Sequence, residues 1–151
     1  MLDQTLAAIH LSATGGQTFA LSAHLGRIVV LYFYPKDSTP GCTSEAQQFR
    51  DLHADFVNAG AVVFGVSRDS IRSHENFKAR YELPFELVSD SEELLCGHFA
   101  VIKMKSMYGK QVRGVERSTF VLDRTGSVCC EWRGVKVAGH AQLVLDAVRR
   151  L

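Results

Sequence analysis

With 151 residues, 46% of them apolar and 22% charged, the chain has the size and composition of one globular domain, which excludes a disordered protein. Its 17 basic and 16 acidic side chains leave a formal net charge of +1, so the sequence predicts binding to neither nucleic acid nor a membrane surface. No apolar run reaches the roughly 18 to 20 residues of a membrane helix. Asp3 lies where a signal peptide would carry basic residues, and we therefore expect a cytoplasmic protein.

Strands and helices alternate along the predicted chain. After an irregular start with a hairpin turn at 15–17, a β-branched and aromatic run over 27–34 predicts a buried central strand that ends at Pro35. The elements predicted after it are a helix over 42–58, a strand over 61–66, a helix over 70–81 with Asp69 or Ser70 as N-cap, a strand over 85–88, a helix over 91–99, a loop over 103–116, a hairpin over 118–133 and a helix from Gly139. This order predicts an α/β fold with a mixed sheet.

The four cysteines are Cys42, Cys96, Cys129 and Cys130. No C-x-x-C pair occurs, so neither a zinc ribbon nor a dithiol redox motif is predicted, and the six scattered histidines have no metal-ligand spacing. Cys42 follows the central strand and begins the next helix, where free N–H groups and the helix dipole stabilise a thiolate. A cysteine is more often a small buried hydrophobe, but the rigid polar loop before Cys42 favours a reactive thiol.

The same loop has a recognisable motif. Residues 34–46 read Y-P-K-D-S-T-P-G-C-T-S-E-A and resemble the peroxiredoxin signature P-x-x-x-T-x-x-C, in particular that of the PrxQ branch, also called bacterioferritin comigratory proteins. Further similar segments follow in the same order: V-S-R-D-S at 66–70, S-H at 73–74, L-V-S-D at 87–90, M-Y-G at 107–109, G-V-E-R-S-T-F-V at 114–121 and G-H at 139–140. The resemblance spans about residues 26–151.

This resemblance implies a thioredoxin-like fold, with a mixed central sheet flanked by helices, in a single domain over residues 1–151. It also implies a thiol-dependent peroxidase that reduces hydrogen peroxide and organic hydroperoxides without a cofactor, and we expect a monomer. A rival interpretation is a non-enzymatic redox sensor whose oxidised thiol signals to a partner protein. A thioredoxin-type dithiol reductase is disfavoured because the chain has no C-x-x-C pair.

The resemblance assigns roles to individual residues. Cys42 is the peroxidatic cysteine, whose first oxidation product is a sulfenic acid. Arg117 holds the thiolate and stabilises charge on the peroxide oxygens, the Thr39 hydroxyl bonds to thiolate and peroxide, and Pro35 shields the thiolate from water. Taken alone, these three could be a surface charge, a turn residue and a strand terminator. Glu45 either orients Arg117 or interacts with the helix dipole.

The resemblance also bears on how the sulfenic acid is reduced. PrxQ relatives place a resolving cysteine on the Cys42 helix, where this chain has Gln47, or on the following helix, near Lys78. Cys96 is the best remaining internal candidate, although its apolar neighbours indicate a packing cysteine. Otherwise thioredoxin, glutaredoxin or a small thiol reduces Cys42 directly.

Overall fold

Nine strands, six α-helices and one 3-10 helix make up the computed structural model, which describes all of residues 1–151. In chain order they are α1 (Gln4–Ala7), β1 (His10–Ala13), β2 (Gln17–Ala20), the 3-10 helix (Leu21–His24), β3 (Ile28–Phe33), α2 (Pro40–Asp51), α3 (His53–Asn58), β4 (Ala61–Ser67), α4 (Ile71–Tyr81), β5 (Glu86–Ser89), α5 (Leu94–His98), β6 (Ile102–Met107), β7 (Lys110–Val115), β8 (Ser118–Leu122), β9 (Val128–Arg133) and α6 (His140–Arg149). None of these helices has both the length and the hydropathy that a membrane span requires.

Seven of the strands form one mixed sheet in the order β2-β1-β5-β4-β3-β8-β9, while β6 and β7 form a separate hairpin. The central strand β3 runs parallel to β4 and antiparallel to β8. All six residues of β3 are buried, as its continuous apolar run predicts for a strand that is covered on both faces. The predicted α/β fold with a mixed sheet is therefore confirmed.

The sheet separates two apolar cores. Successive side chains of β3 point to opposite faces, so Val30 and Tyr32 enter one core while Leu31 enters the other. The first core, called the Cys42 core, also contains side chains of α2, α3, α4 and α6, and the second, the Cys96 core, contains side chains of α1 and α5. The two cysteines that name these cores thus lie on opposite sides of the sheet.

Several predicted elements are present with nearly the predicted bounds. They include the buried strand over 61–66, the helix over 70–81 and the hairpin over 118–133. Ser70 caps α4, because its side chain accepts a hydrogen bond from the Ser73 N–H at 3.2 Å. These elements have strong local signals: a run of buried apolar residues, a capping side chain or a turn sequence.

Two predicted helices have different bounds. The helix predicted over 42–58 is two helices, because Leu52, with φ −101° and ψ 4°, leaves helical geometry between α2 and α3. The helix predicted over 91–99 begins only at Leu94, because Glu93 adopts a left-handed φ of 61°. The acidic residues at the start of that segment therefore precede the helix and do not form part of its first turn.

The loop predicted over 103–116 is wrong: this segment forms the hairpin of β6 and β7. Tyr108 and Gly109 make its turn with φ values of 51° and 76°, and a type I′ hairpin turn requires positive φ at both central residues. Most side chains of the two strands are exposed. The segment therefore lacks the buried, alternating apolar pattern from which strands are predicted.

Candidate active site

Cys42 lies in the first turn of α2, as the sequence predicts. Thr39 is the N-cap, with extended φ −84° and ψ 153°, and Pro40 occupies the first helical position, where a missing N–H costs nothing and the fixed φ suits the helix. The first helical hydrogen bond runs from the Thr43 N–H to the Thr39 carbonyl at 2.9 Å. The N–H groups of the first turn are left without helical partners. Cys42 itself is only 1% exposed.

Arg117 reaches this thiol from another part of the chain. The antiparallel pairing of β8 with β3 places Ser118 opposite Phe33, which brings the preceding Arg117 to the end of β3 where the Cys42 loop begins. Its Nη2 lies 3.5 Å from the Cys42 sulfur, and its side chain is 16% exposed. Arg117 is therefore not a surface charge: its guanidinium contacts the thiol.

Glu45 holds the other side of the same guanidinium. Its Oε1 accepts a hydrogen bond from Arg117 Nη1 at 2.7 Å, and it shares a helix face with Cys42 because residues three apart are neighbours. The side chain is 0% exposed, and burial raises the pKa of Glu45 from 4.5 to about 7, although the Arg117 charge and hydrogen bond act to lower it. Burial lowers the pKa of Arg117, but Glu45 and Cys42 outweigh it and raise that pKa overall.

Gly41 is a site residue that the sequence reasoning did not single out. A Cβ atom built at this position would lie 3.2 Å from Arg117 Nη2, which is closer than an ordinary van der Waals contact. Glycine thus lets the guanidinium approach the start of the helix. The only sequence signal is a glycine next to the candidate nucleophile, and it does not say which side chain would fill the space.

Thr39 and Pro35 lie in the same loop but do not bond to the sulfur. The Thr39 hydroxyl donates to the Lys36 carbonyl at 2.8 Å. This bond uses the hydrogen of the Thr39 hydroxyl, so the hydroxyl oxygen can accept a hydrogen bond from another group. Pro35 is half-buried and directly follows the buried Tyr34.

His140 is a buried histidine near Arg117. It is 3% exposed, and its Nε2 lies 2.7 Å from the Thr119 hydroxyl oxygen. Burial, with a smaller contribution from the Arg117 charge, lowers the pKa of His140 to about 4. The ring is therefore neutral near pH 7 and adds no positive charge to the site.

The other cysteines are not brought to Cys42. Cys96 is 0% exposed in the core on the opposite side of the sheet, its N–H donates to Asp90 Oδ2 at 2.7 Å, and burial and Asp90 raise the pKa of its thiol. Cys129 and Cys130 lie on β9, and burial, followed by the neighbouring Cys130, raises the pKa of Cys129 to about 11. All four cysteines are free thiols.

A buried thiol at a helix N-terminus, held beside an arginine on a mixed sheet of this kind, is the arrangement of a thiol-dependent peroxidase. Residues 2–129 match the family model described as the AhpC/TSA family. The chain belongs to this family, and within it to the peroxiredoxins of the PrxQ or bacterioferritin comigratory branch. The family, the thioredoxin-like fold and the peroxidase activity implied by the sequence motifs are thus confirmed.

The relatives of the chain cover nearly all of its length. Peroxiredoxin Bcp of Xanthomonas campestris is 57% identical over 139 residues, which span 92% of this chain and 87% of that protein. Peroxiredoxin Bcp of Bacillus subtilis is 45% identical over 148 residues, spanning 98% and 94%. A structure of the Xanthomonas campestris bacterioferritin comigratory protein, which has alkyl peroxide reduction activity, matches with a TM-score of 0.94 at 53% identity, covering 99% of this chain and 96% of the other.

Proposed function

We propose that this peroxidase reduces hydrogen peroxide and organic hydroperoxides through Cys42. The observation that carries the proposal is the Arg117 guanidinium, 3.5 Å from the Cys42 sulfur and fixed by Glu45 at 2.7 Å. The thiolate attacks the terminal peroxide oxygen, so that the S–O bond forms as the O–O bond breaks. The sulfur becomes a sulfenic acid, and the departing oxygen takes a proton from the solvent and leaves as water or an alcohol.

The residues around Cys42 have separate tasks in this step. Arg117 is a fixed cation that offsets the negative charge of the thiolate and of the oxygen that leaves. The Thr39 hydroxyl, oriented by its bond to the Lys36 carbonyl, accepts a hydrogen bond from the O–H of the bound hydroperoxide. Pro35 limits the access of water to the thiolate, and Glu45 orients the guanidinium.

We propose that an external thiol completes the cycle. Cys96 lies in the core on the other side of the sheet, and a disulfide requires Cα atoms within roughly 7 Å, so pairing it with Cys42 would need part of the core to open. A thiol instead attacks the Cys42 sulfenic acid, forms a mixed disulfide and releases water. A second thiol then cleaves that disulfide and restores the Cys42 thiol. Thioredoxin, glutaredoxin and small thiols all have the chemistry for this role.

We further propose a cytoplasmic location and a monomer. The four cysteines are free, as is usual where cellular thiols keep proteins reduced, and the cycle needs such thiols as its reductant. Size-exclusion chromatography with light scattering tests the monomer, and cell fractionation tests the location.

Peroxide turnover of the Cys42→Ser variant tests the assignment of the nucleophile. We expect this variant to lose turnover with both hydrogen peroxide and an organic hydroperoxide, while its circular dichroism stays that of the wild type. Retained turnover would place the nucleophile at another cysteine. The mass of the wild-type protein after one equivalent of peroxide tests the cycle: a gain of oxygen is expected, and a loss of two hydrogens would instead mean an internal disulfide.

A further inference from the structure

Ser38 has an unusual backbone conformation inside the loop that leads to Cys42. Its φ is +65°, in the left-handed region that residues other than glycine rarely adopt. Such a residue persists only where the surrounding structure fixes it, and it is found preferentially at functional sites. The residues on either side of Ser38 should therefore be held firmly.

On one side, Asp37 is held by three hydrogen bonds to its carboxylate. The side chain is 2% exposed. Its Oδ1 accepts from the Tyr34 hydroxyl at 2.6 Å, and its Oδ2 accepts from the Ser73 hydroxyl at 2.8 Å and pairs with His74 Nδ1 at 2.7 Å. His74 Nε2 lies 3.0 Å from the Val88 carbonyl. Each ring nitrogen of His74 thus lies within hydrogen-bond distance of an acceptor.

Further contacts hold the backbone of the same loop. The Asp37 N–H donates to Asp69 Oδ2 at 3.0 Å, and the Ser67 hydroxyl donates to that same oxygen at 2.5 Å. On the other side of Ser38, the Thr39 hydroxyl donates to the Lys36 carbonyl. Ligand atoms of Asp37, Asp69 and His74 lie within 4.8 Å of one another, but these hydrogen bonds already satisfy them. The cluster therefore fastens the loop to β4 and α4.

We propose that Asp37, Ser73 and His74, here called the loop latch, are positioning residues for the peroxidatic site. The latch holds Ser38 in its left-handed conformation and so places the Thr39 hydroxyl for the reaction with peroxide. None of the three bonds to the Cys42 sulfur, so they act through the loop. A buried polar network whose members are all hydrogen-bonded makes one conformation rigid. The inference rests on the proposed role of Cys42.

The His74→Gln variant tests the latch, because its single amide cannot replace both hydrogen bonds of the imidazole. In the reduced, folded protein, we expect the rate constant for oxidation of Cys42 by hydrogen peroxide to fall about 10- to 100-fold, the range for a small misplacement of reacting groups. Alkylation of Cys42 by iodoacetamide, which does not use the Thr39 hydroxyl, should not fall. The milder Ser73→Ala variant removes one bond to Asp37 and should lower the peroxide rate by a smaller factor.

A second substitution separates positioning from stability. Adding Ser38→Gly to His74→Gln should restore the peroxide rate about fivefold or more, because glycine adopts the left-handed conformation without strain. Any gain in urea resistance should be small, because the relief of strain at φ +65° is offset by the greater flexibility of glycine in the unfolded chain. Leu6→Ala is the control: Leu6 packs in the Cys96 core, so this variant should be destabilised while its folded molecules keep the wild-type peroxide rate.

The latch is refuted if both His74→Gln and Ser73→Ala fold and react with peroxide at the wild-type rate. It is also refuted if Ser38→Gly restores nothing in the slowed His74→Gln variant. If the Cys42→Ser variant is inactive, either of these two results refutes the latch but not the proposed nucleophile. Retained turnover in Cys42→Ser would instead refute the proposed nucleophile.

Discussion

Glu45 should make the stability of the protein depend on pH, in a direction opposite to that of an ordinary paired carboxylate. Its carboxyl is fully buried, and its pKa is raised from 4.5 to about 7 by that burial, against the opposing effect of Arg117. A carboxyl whose folded pKa lies above its unfolded value gives its full stability below the unfolded pKa and loses it as pH rises through the folded pKa. The wild-type protein should therefore lose stability from this group between about pH 4.5 and 7.

The size of this loss follows from the pKa itself. One pKa unit corresponds to about 1.4 kcal/mol, so a rise from 4.5 to about 7 corresponds to about 3 kcal/mol. Most of that change falls between roughly pH 5 and 8. The Glu45→Gln variant has no such carboxyl, but its amide oxygen can still accept from Arg117. Any cost of the substitution that is the same at every pH lowers the free energy of unfolding of this variant by a constant amount. It therefore does not change how that free energy depends on pH.

Urea unfolding of the reduced proteins at several values from pH 5 to 8, followed by circular dichroism, measures the effect. The free energy of unfolding of Glu45→Gln minus that of the wild type should increase by about 2 to 3 kcal/mol across this range. Glu92→Gln is the matched control, because Glu92 is an exposed glutamate and its difference from the wild type should stay constant. A constant difference for Glu45→Gln as well would refute the argument from burial.

Three further predictions concern the peroxide reaction and the cycle. Arg117→Ala should slow Cys42 oxidation about 100- to 1000-fold, as for the loss of one group that stabilises developing charge, and an unchanged rate in stopped-flow assays would make Arg117 structural. Gly41→Ala should slow it about 3- to 10-fold, because the new methyl group meets the guanidinium at 3.2 Å; an unchanged or faster reaction would contradict this role of Gly41. The triple variant Cys96→Ser, Cys129→Ser, Cys130→Ser should keep most of its turnover with a suitable thiol. If instead Cys96→Ser alone loses thioredoxin-supported cycling while Cys42 is still oxidised by peroxide, Cys96 is the resolving cysteine.

Elements with strong local signals could be predicted from the amino-acid sequence. The apolar run over 27–34 predicts the central strand, and Pro35 predicts where it ends. The position of Cys42 after that strand and before an amphipathic segment predicts a thiol at a helix start. These features depend on neighbours along the chain, because periodicity, capping and turn preferences act over a few residues. The family motif adds Arg117 and its contact with the thiolate by resemblance, but not the strand pairing that produces this contact.

Contacts between residues that are far apart in the chain became visible in the folded structure. The pairing of β3 with β8 brings Arg117 to Cys42, and the guanidinium then lies 3.2 Å from where a side chain at Gly41 would begin. The packing of α2 on one face of the sheet and of α5 on the other places Cys96 on the far side from Cys42. Such contacts depend on register, burial and the packing of helices on the sheet, and these physical quantities exist only once the whole chain has folded.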